Sequence, residues 1–156
     1  MPDPYARRGP VKKHDLAMTH DKILIVDDEP EALENCRRIL TGHQYDCIVE
    51  TDPYRALDVI EREHPKVLLT DLRMPGLDGI DLLKAARRLD PTIKVVLLTA
   101  DAFIQTAVVF MGHGAFDYLA KPFTGKELCS VLRRALGEES VDRIEMKKVT
   151  PPRSAS

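Results

Sequence analysis

Apolar and polar positions along this chain follow two periods in alternation. Short apolar runs, rich in valine, isoleucine and leucine, occur at Ile23–Val26, Cys47–Val49, Val67–Leu69, Val95–Leu98 and, more weakly, Phe116–Leu119. Between them lie stretches of helical length. Leu33, Cys36 and Leu40 share one helical face; Leu128, Val131, Leu132, Ala135 and Leu136 keep the three- and four-residue spacing of an amphipathic helix. Asp52-Pro53 reads as a helix start, a capping carboxylate followed by proline at the first helical position. Gly42, Gly114 and Gly137 stand where helices should stop. Continuous apolar strands alternating with amphipathic helices predict an α/β fold: a (βα)5 parallel sheet covered on both faces.

That pattern fills residues 21–137 and leaves the two ends of the 156-residue chain outside it. Residues 1–20 carry three prolines, four basic and two acidic side chains, and no periodicity. Residues 138–156 carry four charges of each sign and end in Pro151-Pro152-Arg153-Ser154-Ala155-Ser156. Both ends read as flexible: an N-terminal extension and a C-terminal tail or linker. The middle is mildly acidic, with 15 basic against 19 acidic residues, inside an overall formal charge of -2. A chain so balanced is not built to coat nucleic acid, and no direct nucleic-acid binding is expected. No apolar run exceeds five residues, far short of the ~20 needed to cross a bilayer, and no apolar segment follows the basic N-terminal residues as in a signal peptide. Three widely spaced cysteines without a CxxC pair read as buried thiols. The expected setting is cytoplasmic, with no membrane partner.

In a doubly wound sheet, chemistry collects beyond the carboxyl ends of the strands. The first run ends in Asp27-Asp28-Glu29, the third in Asp71, the fourth in Thr99-Ala100-Asp101 and the fifth near Lys121-Pro122. Three or more carboxylates, a hydroxyl and an ammonium thus meet at one edge. Clustered carboxylates resist ionisation unless a cation joins them. A hard divalent ion suits them, and Mg²⁺ held by one or two carboxylates still accepts phosphate oxygens. A lysine and a hydroxyl opposite would hold the other oxygens of a phosphoryl group. An aspartate can itself be the nucleophile that forms an acyl phosphate. Taken singly, each residue has a plainer reading as a helix cap or turn residue; four strand ends together do not.

The same residues resemble the receiver domains of two-component response regulators. The likeness runs from Lys22 to about Gly137. It rests on Ile23-Leu24-Ile25-Val26-Asp27-Asp28-Glu29-Pro30, on Leu69-Thr70-Asp71-Leu72-Arg73-Met74-Pro75-Gly76-Leu77-Asp78-Gly79, on Leu97-Leu98-Thr99-Ala100, and on Gly114-Ala115-Phe116-Asp117-Tyr118-Leu119-Ala120-Lys121-Pro122-Phe123. The last stretch and Ala107-Val108 look most like receivers that precede AAA+ transcription activators. The resemblance implies a flavodoxin-like sheet of strand order 2-1-3-4-5 and phosphorylation of Asp71 by a sensor histidine kinase or histidine phosphotransfer protein. It further implies that Asp28 binds Mg²⁺ directly, Asp27 mainly through water, Asp71 as the third carboxylate and Arg73 through its backbone carbonyl. Thr99 and Lys121 would hold the phosphoryl group, Tyr118 would turn inward on activation, and the bond before Pro122 would be cis. The output would leave through the surface of helix four, strand five and helix five, toward a downstream protein or a second receiver. Such a domain phosphorylates and dephosphorylates itself but turns over no separate substrate.

Two departures from the usual pattern add expectations. Arg73 and Asp101, two residues after Asp71 and Thr99, carry opposite charges at the mouth of the site. A pair between them would hinder the water that hydrolyses the acyl phosphate; in solvent it would do little. In the fourth helical segment, Ala107-Val108-Val109-Phe110-Met111-Gly112-His113, no clear polar face remains. Exposed apolar surface marks partner sites, so Val109 and Phe110 are expected to make contacts, with core burial as the alternative.

Other chemistries lack their parts. The five histidines have no metal-ligand spacing, no GxxxxGK[ST] phosphate loop occurs, and Asp27-Asp28-Glu29 would repel a flavin phosphate. Haloacid-type phosphatases need a DxD pattern after the first strand, which is missing. The remaining alternative is a phosphorylation-independent docking module with the same fold. Neither end of the chain is long enough for an output domain. It therefore reads as a stand-alone receiver, or as a fragment of a longer regulator cut at Pro151-Pro152.

Overall fold

All five apolar runs become strands, and three of them have almost no exposed surface. The computed structural model describes residues 21–100 and 104–138. In chain order the elements are β1 (Lys22–Val26), α1 (Pro30–Gly42), β2 (Asp46–Glu50), α2 (Pro53–Glu63), β3 (Val67–Thr70), α3 (Gly79–Leu89), β4 (Lys94–Thr99), α4 (Ile104–Gly112), β5 (Asp117–Ala120) and α5 (Gly125–Ala135). All strand pairs are parallel and the sheet order is β2-β1-β3-β4-β5. β1, β3 and β4 lie inside and are buried almost throughout; β2 and β5 are the edges and are partly exposed. Buried central strands explain runs without polar alternation.

Two cores lie on the two faces. Ile23, Ile25, Val67, Leu69, Val96 and Leu98 face α1 and α5, meeting Leu33, Cys36, Leu40, Leu128 and Leu132. Leu24, Val26, Leu68, Val95 and Leu97 face α2, α3 and α4, meeting Ala56, Ile60, Leu82, Leu83 and Phe110. Alternate strand residues supply alternate faces, so β1 is apolar at every step from Ile23 to Val26.

Local signals fix the helix ends. Asp52 accepts the Tyr54 amide at 2.9 Å with Pro53 behind it. Asp78 caps α3 through the Asp81 amide at 2.9 Å. Thr124 and Glu127 form a reciprocal capping box on α5. Gly114 (φ 96°) and Gly137 (φ 74°) take the left-handed stop conformation. Gly42 does not: the left-handed residue after α1 is Gln44 (φ 70°), and the chain closes back through the Tyr45 amide to the Leu40 carbonyl. The helix nevertheless ends at Gly42, where the sequence places its stop.

Helix α4 corrects one expectation. Phe110 has no exposed surface and anchors the helix in the core beside Ala107, three residues earlier. It offers nothing to a partner. Val108, Val109 and Met111 are the exposed apolar residues, at 64%, 47% and 40%. A helix that is apolar from Ala107 to Met111 has no clear polar face there to set its phase, and the sheet takes the largest side chain.

Candidate functional site

Parallel strands of one sheet deliver their last residues to one end. Asp27 follows β1, Asp71 follows β3, Thr99 closes β4 and Lys121 follows β5. Backbone bonds tie these ends together. The Asp71 amide donates to Val26 O at 3.2 Å, the Asp27 amide to Glu50 O at 3.3 Å and the Lys121 amide to Thr99 O at 2.9 Å. The peptide bond between Lys121 and Pro122 is cis.

Asp27 is 5% exposed, which a carboxylate tolerates only when both oxygens are satisfied. Its Oδ1 accepts the Glu29 amide at 3.0 Å, and its Oδ2 accepts the Lys121 ammonium at 3.0 Å. Asp71 is half-buried; its Oδ1 accepts the Leu72 amide at 2.7 Å, and its Oδ2 lies 3.8 Å from Lys121 Nζ. Asp28 is exposed at the rim. One oxygen from each of Asp27, Asp28 and Asp71 falls within 4.8 Å of the others, a set that could hold a metal ion.

Electrostatics set the charge states. Burial pushes the Asp71 carboxyl up, against the opposing pull of Lys121, the Leu72 amide and the Thr99 hydroxyl; Asp27 adds to the rise. Burial alone would lower Lys121, but the hydrogen bond to Asp27 and the charges of Asp27 and Asp71 outweigh it and hold the ammonium above its ordinary value. The lysine thus sits as a resident cation among the carboxylates.

A tight loop carries Asp71. The Gly79 amide donates to Leu72 O at 2.8 Å, and a Cβ on Gly79 would stand 2.5 Å from Asp71 O. Only glycine lets the start of α3 approach so closely. The Thr70 hydroxyl bonds the same Asp71 carbonyl at 2.9 Å, and Gly76 (φ 88°) lies under the ring of Tyr54. The roles of Gly79 and of the Glu29 and Leu72 amides escaped sequence reasoning. Asp78-Gly79, a cap followed by glycine, was the available signal for the first; backbone donors leave none.

Of the remaining candidates, Thr99 is buried at 2% exposure, Arg73 is exposed on the loop, and Tyr118 on β5 is 38% exposed. Asp101 lies outside the described residues, so the Arg73–Asp101 pair is not placed. A cleft of about 680 Å³ separates the Asp71 loop from α4, lined by Leu72, Arg73, Met74, Gln105, Thr106 and Val109 among others.

Sheet order, acidic triad and lysine converge with one further observation: a family model described as the response regulator receiver domain matches residues 23–133. The chain belongs to this family. The receiver is 38% identical over 112 residues to the DNA-binding transcriptional regulator NtrC of Klebsiella pneumoniae, covering 72% of this chain and 24% of NtrC. It is 40% identical over 129 residues to the regulatory protein AtoC of Escherichia coli, covering 79% and 27%. To the DNA-binding response regulator MtrA of Mycolicibacterium smegmatis it is 34% identical over 128 residues, covering 82% and 56%. The receiver thus spans about a quarter to about half the length of these relatives. Among solved structures, a receiver domain protein from Clostridium thermocellum superposes with a TM-score of 0.72 at 28% identity, covering 78% of this chain and 98% of that one. The receiver domain of NtrX from Brucella abortus gives 0.71 at 32% identity, covering 74% and 98%. Among the described residues no helix is long and apolar enough to cross a membrane.

Proposed function

We propose that this receiver takes a phosphoryl group on Asp71 from a phosphohistidine, supplied by a sensor histidine kinase or histidine phosphotransfer protein. One observation carries the reading: Asp71 Oδ2 lies 3.8 Å from Lys121 Nζ, within the carboxylate triad, while its Oδ1 is fixed by the Leu72 amide. One oxygen is held and the other is presented. Attack by Oδ2 on phosphorus forms the acyl phosphate O–P bond as the P–N bond to imidazole breaks, and the imidazole leaves with a proton.

The donor set fits Mg²⁺. All three groups are hard oxygen ligands, and such an ion keeps waters and phosphate oxygens in its remaining positions. Asp28, Asp27, Asp71 and the Arg73 carbonyl would hold it, Asp28 directly and Asp27 mainly through water. When bound, the ion neutralises charge on the carboxylates and the phosphoryl oxygens. Lys121 and Thr99 take the oxygens on the other side.

An added charge of about -1.5 to -2 draws Thr99 and Lys121 toward Asp71. Tyr118, now exposed, then turns inward, and the cleft beside α4 gives that helix room to shift. The α4–β5–α5 surface, with Val109 at its edge, passes the state to a downstream protein or a second receiver. The domain is a phosphoacceptor with self-catalysed hydrolysis, working in the cytoplasm. Its unit is residues 21–137, flanked by an N-terminal extension and a C-terminal tail or linker. A docking role without phosphorylation is disfavoured because every part of the site is present.

The test is incubation with Mg²⁺ and acetyl phosphate, read by intact mass. The wild type should gain one phosphoryl group and Asp71→Asn none. No gain in the wild type, or an equal gain in the variant, defeats the proposal.

A further inference from the structure

Lysine stands at the entry of three neighbouring strands. Lys22 opens β1, Lys66 precedes β3 and Lys94 opens β4. Backbone bonds set them in a row: the Lys66 amide donates to Lys22 O at 2.9 Å and the Lys94 amide to Lys66 O at 3.0 Å. With strands about 4.8 Å apart, the row runs about 10 Å across the end of the sheet opposite Asp71. Lys22 is engaged by Glu63 at 2.6 Å. Lys66 and Lys94 are exposed, and among the described residues neither forms an ion pair; Lys94 lies over the Phe116 ring instead. Asp90 feels Lys66 but is held by Thr92.

Helix α5 ends on the same edge. The Gly137 amide donates to Arg134 O at 3.2 Å and the Glu138 amide to Arg133 O at 2.9 Å, a pair of bonds that turns the chain sharply out of the helix. The turn brings Glu138 to Tyr45, whose phenol is pushed up to about 12 by burial and then by Glu138. Tyr45 precedes Asp46, the register partner of Lys22. The chain therefore leaves α5 one strand away from the lysine row. The residues that follow are acidic: Glu138, Glu139, Asp142 and Glu145, with Arg143 the one base among residues 138–145.

We propose that residues 139–145 dock along this edge, setting their carboxylates against Lys22, Lys66 and Lys94. Seven extended residues reach about 23 Å, enough to cross one strand and then the row. Lys22 leans toward α2 through Glu63, and Lys94 toward Phe116 on the other face of the sheet. An extended segment alternates its side chains and so meets both. The lysine row is then a cradle that fixes the direction in which the chain leaves the receiver. This docking does not depend on phosphorylation of Asp71.

The test is backbone amide NMR of the full chain. At low salt, residues 139–145 should show order parameters above ~0.6, and they should fall below that in 1 M NaCl, where the screening length is about 3 Å. The double variant Lys66→Glu/Lys94→Glu should release the segment without unfolding the domain, since both lysines are exposed. Adding Glu139→Lys and Asp142→Lys to it should restore order. A segment mobile in the wild type, or ordered regardless of salt or of the two lysines, overturns the proposal. So does order lost instead on neutralising Arg7, Arg8, Lys12 and Lys13, which would make the N-terminal extension the partner.

Discussion

Replacing Lys121 with methionine removes the cation from the carboxylate cluster while keeping a stem of similar length against its apolar neighbours. The loss can be sized from the geometry. At an effective dielectric of about 20, the 3.0 Å contact with Asp27 is worth ~5 kcal/mol before desolvation is counted. The lysine side chain keeps only 24% of its exposure, so burying the ammonium returns a good part of that. Asp27 also keeps its bond from the Glu29 amide. The expected net loss is about 2–3 kcal/mol in the metal-free protein at pH 7, slightly below the usual cost of breaking a buried pair. Mg²⁺ acts in the opposite sense. By linkage, an ion at 100 times its Kd adds about 2.7 kcal/mol to the folded state, and a site rid of its competing ammonium binds it more tightly. Urea unfolding followed by far-UV circular dichroism, with EDTA and then with Mg²⁺, reads both effects. Lys121→Met should lose stability in EDTA and recover most of it in Mg²⁺, with a larger metal response than the wild type. Equal stability in EDTA would show that the Lys121–Asp27 contact contributes nothing to the fold. An unchanged response to Mg²⁺ would show that ammonium and metal do not share the cluster.

The raised Asp71 carboxyl predicts a pH signature. A carboxyl raised in the fold costs nothing below its unfolded value near 3.8, and its penalty is complete above the folded value. Asp71→Asn should therefore raise the metal-free urea midpoint at pH 7 and leave it nearly unchanged toward pH 3; a lowered midpoint at pH 7 contradicts the assignment. Phe110→Ala should cost about 3–5 kcal/mol by thermal or urea unfolding, whereas Val109→Ala, at an exposed position, should stay within about 0.5 kcal/mol; reversed magnitudes would put Phe110 back on the surface. Gly79→Ala should cost about 3 kcal/mol through the clash with the Asp71 carbonyl, and it should slow acyl phosphate formation, since Asp71 itself must shift.

The sheet was legible because its central strands are buried on both faces, so β1, β3 and β4 read as unbroken apolar runs. Capping residues marked α2 and α5 through Asp52-Pro53 and Gly137. The site was legible for the same reason, since strand ends converge and Asp27, Asp71, Thr99 and Lys121 each close one strand. What stayed hidden depends on phase or on backbone. Phe110 could not be assigned a side in a helix without a polar face. The Gly79 approach, the Leu72 amide and the left-handed Gln44 are contacts of main chain with main chain or main chain with side chain, and residue type carries little trace of them.

The placement of the site across the sheet has a consequence for motion. Asp27 and Asp71 are rooted in β1 and β3, each flanked by paired strands on both sides, so their amides exchange with solvent only when much of the domain opens. Lys121 hangs from β5, an edge strand held by one ladder and exposed at alternate residues. Its half of the centre can part from the sheet at a fraction of the global unfolding energy. Asp71 is therefore rooted in the interior of the sheet and the Lys121 ammonium at its edge.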